Sequence, residues 1–198
     1  MEIHTLLSVA LFAATMTGTP GPNNMMLTAS GALFGYRRTL PHMLGICLGM
    51  FTLILATAAG LGLLFSRFPM IQEGLKWLAS AYLLYLAWRI ASAPAPSQHE
   101  ETSERPMNVL EAASFQYVNP KAWAMAIAAI GTFSLSGGDY WLSALMISSV
   151  FMVIGFPCIS IWAGFGTLIG RWLSTDRQWR LFNLSMGIAT ASCLIFIW

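Results

Sequence analysis

Apolar residues in this chain fall in long blocks. They show neither the two-residue alternation of a half-buried strand nor the narrow stripe of a surface helix. A bilayer core about 30 Å thick takes about 20 apolar residues as helix. Six stretches reach or approach that length: about Leu6 to Leu33, Met43 to Phe65, Gly74 to Ala91, Ala112 to Leu135, Trp141 to Leu168, and Leu181 to Trp198. The first is interrupted at Pro20-Gly21-Pro22 and the fourth at Asn119-Pro120. The third is short, and Lys76 can snorkel at its start. One connection, 92–106, is long and polar, with Pro94, Pro96, Gln98, Glu100, Glu101, Glu104 and Arg105. It divides a single transmembrane domain, 1–198, into halves of about 1–91 and 107–198. Three spans per half is an odd number, so halves that share a fold must insert with opposite orientations. The pattern predicts an all-α integral membrane protein with six transmembrane helices. They form two inverted three-helix repeats in which helices 1 and 4 are broken.

Charge placement orients this array. Lys and Arg number seven in or beside the odd loops (Arg37, Arg38, Arg89, Arg105, Arg171, Arg177, Arg180) and two in the even loops (Arg67, Lys76). Positive residues stay cytoplasmic, so the odd loops face inward and both termini face out. The fourth loop, around Gly137-Gly138-Asp139, has no basic residue, as an exterior loop should. Trp77, Trp88, Trp141, Trp172, Trp179 and Trp198 fall near predicted span ends, where an indole suits the interface. Met1-Glu2-Ile3-His4 carries no basic stretch and no clear cleavage site follows, so the first run is expected to be a retained span.

Composition agrees. Of 198 residues, 57% are hydrophobic and 9% charged, against about 25% charged in soluble domains. A net charge of +2, with its basic residues dispersed, gives no footprint for nucleic acid. Cys47, Cys158 and Cys193 lie far apart in apolar runs and read as small buried hydrophobes. No CxxC or Cys/His spacing suggests a metal, and no cofactor is expected.

The chemistry points away from an enzyme. Asp and Glu occur at positions 2, 73, 100, 101, 104, 111, 139 and 176, all in loops, tails or span edges. His4, His42 and His99 are placed likewise. No carboxylate pair or Ser/His dyad falls at membrane depth. The interruptions are more telling. Pro20 and Pro22 donate no backbone hydrogen bond, and Gly21 disfavours helix. Bare backbone cannot face lipid and must line protein or a water-filled cavity. Asn23 and Asn24 add amide groups at once, and Asn119-Pro120-Lys121 repeats the arrangement in the other half. Broken helices at corresponding positions of inverted halves mark a transporter binding site near the midplane. A simple kink satisfied by neighbouring helices is the plainer alternative. Lys121 is the one charge predicted deep in a span, where insertion costs at least about 2.5 kcal/mol. It is a functional candidate unless span four starts nearer Val118 and the side chain snorkels. Gly31–Gly35, Gly45–Gly49 and Gly166–Gly170 are GxxxG spacings that permit close helix approach, within one protomer or in a homodimer.

These residues carry a resemblance. Thr19-Pro20-Gly21-Pro22-Asn23 is similar to the first signature of the LysE/RhtB family of small amino-acid exporters. Gly31, Gly35-Tyr36-Arg37-Arg38, Gly45 and Gly49 match its continuation, and Asn119-Pro120-Lys121-Ala122 resembles its second-half signature. Ile130-Gly131-Thr132, where the family often has a proline, and Pro41-His42 depart from it. Gly45-Ile46-Cys47-Leu48-Gly49 and Gln116-Tyr117-Val118-Asn119 look most like the cysteine and O-acetylserine exporters. The resemblance implies a bacterial plasma (inner) membrane protein that exports a small neutral amino acid, driven by the proton gradient. Pro20, Gly21, Pro22, Asn23, Asn24, Asn119, Pro120 and Lys121 are then the expected substrate-binding residues. With no carboxylate in the membrane, Lys121, the zwitterion's own charge or an ion held by carbonyls is left to carry the coupling. Export of another solute or ion, or service as a non-transporting assembly subunit, are the rival readings.

Overall fold

The structure is a computed structural model that describes residues 1–94 and 105–196. Pro96, Gln98, His99, Glu100, Glu101 and Glu104 of the central connection, and Trp198, lie outside the described residues. Among the described residues all regular structure is helical, and helix occupies each of the six apolar runs. The first run forms α1 (Ile3–Gly18) and α2 (Pro22–Phe34). The second forms α3 (Tyr36–Ala56), a π turn (Thr57–Leu61) and α4 (Gly62–Arg67), and the third forms α5 (Pro69–Ala91). The fourth forms α6 (Val109–Val118) and α7 (Pro120–Phe133). After a 3-10 turn (Gly137–Asp139) come α8 (Tyr140–Trp172) and α9 (Asp176–Ser192), with a final 3-10 turn (Cys193–Phe196). Among the described residues, two helical stretches are by themselves long and apolar enough to cross a membrane: Tyr36–Leu61, with 26 residues, and Gly137–Trp172, with 36.

Local chemistry sets the boundaries. Pro22, Pro69 and Pro120 each sit at the start of a helix, where a missing N–H loses nothing. Asn108 and Glu111 form a capping box on α6, and Thr175 and Gln178 form one on α9. Gly35, at φ 79°, makes the turn from α2 straight into α3. Glycine alone adopts that backbone readily. As a result the first loop shrinks to one residue. Arg37, Arg38, Pro41 and His42, expected in that loop, belong to α3 instead, and His42 is buried. At the far end of α3 the π turn contains Gly60 at φ 100°, and Tyr140 Oη donates to the Ala58 carbonyl there, at 2.7 Å.

Glycines decide which helices meet. A Cβ on Gly166 would overlap the Thr28 carbonyl oxygen, and one on Gly170 would sit 2.5 Å from the Ala32 oxygen, so α8 lies directly on α2. Gly45 faces Val109 and Ala112, and Gly49 faces Ala113 and Gln116, so α3 lies directly on α6. In both pairs the partners advance in step, which makes the helices parallel. Two of the three GxxxG spacings are thus consumed inside the chain. In the third, Gly31 packs on Ala163 while Gly35 serves the turn. The helices α3 and α8 also pack together, as do α5 and α9, where Gly187 meets Ala87 and Ala91.

The outer surface is apolar. Val153 and Ile161, in the middle of α8, are 69% and 71% exposed, and Leu7, Leu11, Trp88 and Ile188 also face outward. A soluble monomer does not leave such faces in water. A helix array with its backbone paired internally and an apolar skin is built for lipid.

Candidate functional site

The two helix breaks come together. In the first, α1 ends at Gly18, and the chain runs extended through Thr19, Pro20 and Gly21 before α2 begins. In the second, only Asn119 is non-helical, at φ −88° and ψ 110°. Asn119 caps α7, its Oδ1 accepting from the Lys121 backbone N–H at 3.1 Å. The cap directs the Lys121 side chain across to the other half. Its Nζ donates to Thr19 O at 2.8 Å, Thr19 Oγ1 at 2.8 Å and Pro20 O at 3.1 Å. Among the described residues Lys121 pairs with no carboxylate. Its ammonium is held by oxygens of the opposite break. Gly21 makes room for it: a Cβ there would lie 2.9 Å from Lys121 Cδ.

Each carbonyl from Thr15 to Pro20 has a donor. Thr19 N–H reaches Thr15 O, Thr19 Oγ1 reaches Met16 O at 2.9 Å, and Trp162 Nε1 reaches Gly18 O at 3.2 Å. Asn24 Nδ2 donates to both Thr17 O (2.9 Å) and Thr19 O (2.8 Å). Lys121 completes the set at Thr19 and Pro20. Interrupted backbone inside a membrane must be satisfied this way. The amide of Asn24 is thus spent on holding the break.

Asn23 has a different partner. Its Nδ2 donates to Gln116 Oε1 at 2.8 Å, and Gln116 Nε2 donates back to Asn23 Oδ1 at 3.3 Å and to Ala112 O at 2.9 Å. Gln116, one turn before the second break, is buried and is a site residue that the sequence reading did not single out. The signal available was a glutamine placed at membrane depth between apolar neighbours, which needs a polar partner as much as a charge does.

These groups line one cavity. Thr17, Asn23, Gln116, Asn119 and Lys121 supply its polar wall, with Pro22 and Gly21 at the break, and Ile46, Met50, Met125 and Phe151 supply the apolar one. All eight expected site residues are at or beside it, Pro20 through its carbonyl and Pro120 as the first residue of α7. About 40 Å³ is open to the centre of a water molecule, which is room for roughly three waters. The N-terminus of α2 opens here without a side-chain cap, while that of α7 is capped by Asn119. A helix start with unmet N–H groups attracts a carboxylate. No group of His, Cys, Asp and Glu among the described residues could hold a metal.

An apolar-skinned helical array around a small polar cavity at paired helix breaks defines a membrane transporter. The family description LysE type translocator matches residues 14–193, and the chain belongs to that family. The chain is a transporter and not an enzyme, from a family of bacterial inner-membrane proteins. Among its relatives is the cysteine/O-acetylserine efflux protein of Salmonella paratyphi A, 29% identical over 181 residues, covering 90% of this chain and 87% of the relative. The protein of the same name from Escherichia coli O1:K1 / APEC is 28% identical over 194 residues, covering 97% and 95%. No solved structure matches the chain.

Proposed function

We propose that this protein exports a small neutral amino acid or derivative, of the size of cysteine or O-acetylserine, through the cavity between the two breaks. The observation that carries the reading is the grip of the Thr19 and Pro20 oxygens, in one half, on the Lys121 ammonium of the other. A cage of oxygens that accepts one primary ammonium suits the ammonium of an amino acid equally well. The carboxylate then goes to the uncapped start of α2 beside Asn23, and Asn119 and Gln116 orient the zwitterion. Substrate and Lys121 compete for the same oxygens, so loading requires Lys121 to leave or to give up its proton. That competition supports proton coupling through Lys121.

The pairing of elements supports two inverted halves of three spans. Exchanging the halves turns the contact of α8 with α1 and α2 into that of α3 with α6 and α7, and it leaves α3 with α8 and α5 with α9 as they are. At roughly three waters of free volume, the cavity is too small for an amino acid in this conformation, which suits the closed stage of an alternating-access cycle.

The test is export by purified protein in vesicles loaded with labelled cysteine, O-acetylserine, serine, lysine or leucine, with and without an imposed pH gradient. Gradient-dependent release of the small neutral compounds is the expected result. Release of none of the five, by protein that is folded and correctly inserted, defeats the reading.

A further inference from the structure

A second cavity lies away from the breaks, where α2 turns into α3 and α5 ends. Its wall includes Ser30, His42, Leu86, Arg89, Arg105 and Met107, and about 80 Å³ is open to the centre of a water molecule. That is room for roughly five waters, about twice the volume open at the breaks. Of the two cavities, this outer one is the roomier and the more open to the outside. It is on the side bearing Arg37, Arg38, Arg89 and Arg105, which the positive-inside rule makes cytoplasmic, and an exporter loads from there.

His42 distinguishes this cavity from a packing gap. The residue is 2% exposed, and neither Nδ1 nor Nε2 has a hydrogen-bond partner. A neutral imidazole brings one donor and one acceptor, and buried polar atoms are ordinarily met. Here both are unmet, on a side chain that helps to line the cavity. Beside them, Thr39 Oγ1 donates to the Gly35 carbonyl at 3.0 Å, so Ser30 is the donor in its 2.9 Å bond with Thr39. The Ser30 oxygen keeps its lone pairs for another donor. The two arginines differ. Arg105 forms a two-pronged ion pair with Glu111, which holds that carboxyl well below its usual range, at about 2, and cancels the arginine's charge. Arg89 lies over the Tyr85 ring at 6.0 Å and has no ion pair among the described residues. Of the two, it is the arginine without a paired carboxylate among the described residues.

A guanidinium with no ion pair among the described residues, an imidazole with a donor and an acceptor both unmet, and hydroxyl lone pairs together suit a ligand with a carboxylate and an ammonium a few atoms apart. We propose that this cavity is a loading site, which binds the free amino acid with its carboxylate on Arg89 and its ammonium toward His42 and Ser30 before it reaches the breaks. This rests on the export reading and deepens it. Asn23, Met26 and Ser30 follow one another at spacings of three and four along α2, so one helix face runs from the central cavity to the outer one. What separates the two along that face is Met26, with Met43 and Met107 packed nearby. Unbranched thioether side chains can move aside without unfolding the helices that carry them.

The experiment measures equilibrium binding of labelled O-acetylserine to the purified full chain, and the kinetics of its efflux. Arg89→Gln and His42→Leu are expected to weaken binding about tenfold, the loss of one charge-assisted hydrogen bond. They should raise KM by the same factor while Vmax is largely retained. Lys121→Met, by contrast, should still bind but not turn over. His42→Gln should recover most of the affinity, and the methyl ester of O-acetylserine, which lacks the carboxylate, should not bind. Should His42→Leu not fold, Arg89→Gln at the rim decides alone. Wild-type KM and affinity in well-folded Arg89→Gln overturn the loading site and leave the export reading standing. A wild-type chain that neither binds nor exports any amino acid brings down both.

Discussion

At the scale of the residue, the decisive arrangement is a lysine from one half lodged among the oxygens of the other. Lys121→Met keeps the apolar stem and removes the charge, so it should insert normally and drop efflux to background at matched expression. Lys121→Arg keeps a charge that resists deprotonation. Partial efflux from it means that Lys121 acts by binding, and failure as complete as that of the Met variant means that it releases a proton. A third variant approaches the same contact from the facing residue. Gly21 has φ 178° and ψ 176°, extended backbone that alanine adopts without strain. The atoms that an added Cβ meets are Lys121 Cδ at 2.9 Å and Nζ at 3.1 Å, the mobile end of a side chain. Gly21→Ala should therefore fold and melt like the wild type yet lose about tenfold or more in efflux, the worth of a charge-assisted hydrogen bond. A wild-type rate in folded Gly21→Ala would show that the grip on Lys121 is idle. Lys121 and both breaks are legible in the sequence, because a charge or a proline at membrane depth is costly wherever it falls. Gln116 is harder to see: its partner Asn23 is 93 positions away, and nothing local tells a paired glutamine from one at a span edge.

At the scale of the element, glycines fix the distances between helices, and substitution tests each close approach separately. Gly166→Ala would push its methyl into the Thr28 backbone carbonyl, and Gly45→Ala would push into Val109. Backbone cannot move aside as a side chain can, so each should lower stability by about 1–3 kcal/mol, read as a fall in the melting temperature of the purified protein. Gly164→Ala, on the same helix as Gly166 but with nothing within 4 Å of the new methyl, should be neutral or slightly stabilising, since alanine favours helix over glycine. Equal losses at Gly164 and Gly166 would mean that glycine in α8 matters for flexibility and not for the contact with α2. The three GxxxG spacings are plain in the sequence, and so is the prospect of close packing. Which helix each would meet is not, because the spacing describes one surface and the partner is chosen by the whole array. Helix ends were also partly hidden. The apolar run of the second span starts near Met43, but α3 starts at Tyr36, since helix continues through polar residues wherever a one-residue turn such as Gly35 allows it.

At the scale of the whole molecule, direction along the membrane normal is the property that the packing constrains most. The close pairs α2 with α8 and α3 with α6 run parallel. In a chain that crosses six times in alternation, the first and fifth spans run one way and the second and fourth the other, as these contacts demand. Orientation is then a single choice, and the excess of seven basic residues in the odd loops over two in the even loops favours cytoplasmic odd loops. A fluorescent reporter that works only in the cytoplasm should therefore be bright when inserted within 92–106, and a phosphatase that works only outside should be active when fused after Trp198. The two insertion points test more than one statement at once. Three crossings separate them, an odd number, so they must report opposite sides whichever way the molecule is inserted. Opposite sides with the signs reversed would defeat only the charge argument and would move the loading cavity to the exterior face, where an exporter has no use for it. The same side for both would mean that one run of the second half does not cross. The inverted relation of the halves would fall, and with it the reason for treating the two helix breaks as matching parts of one site.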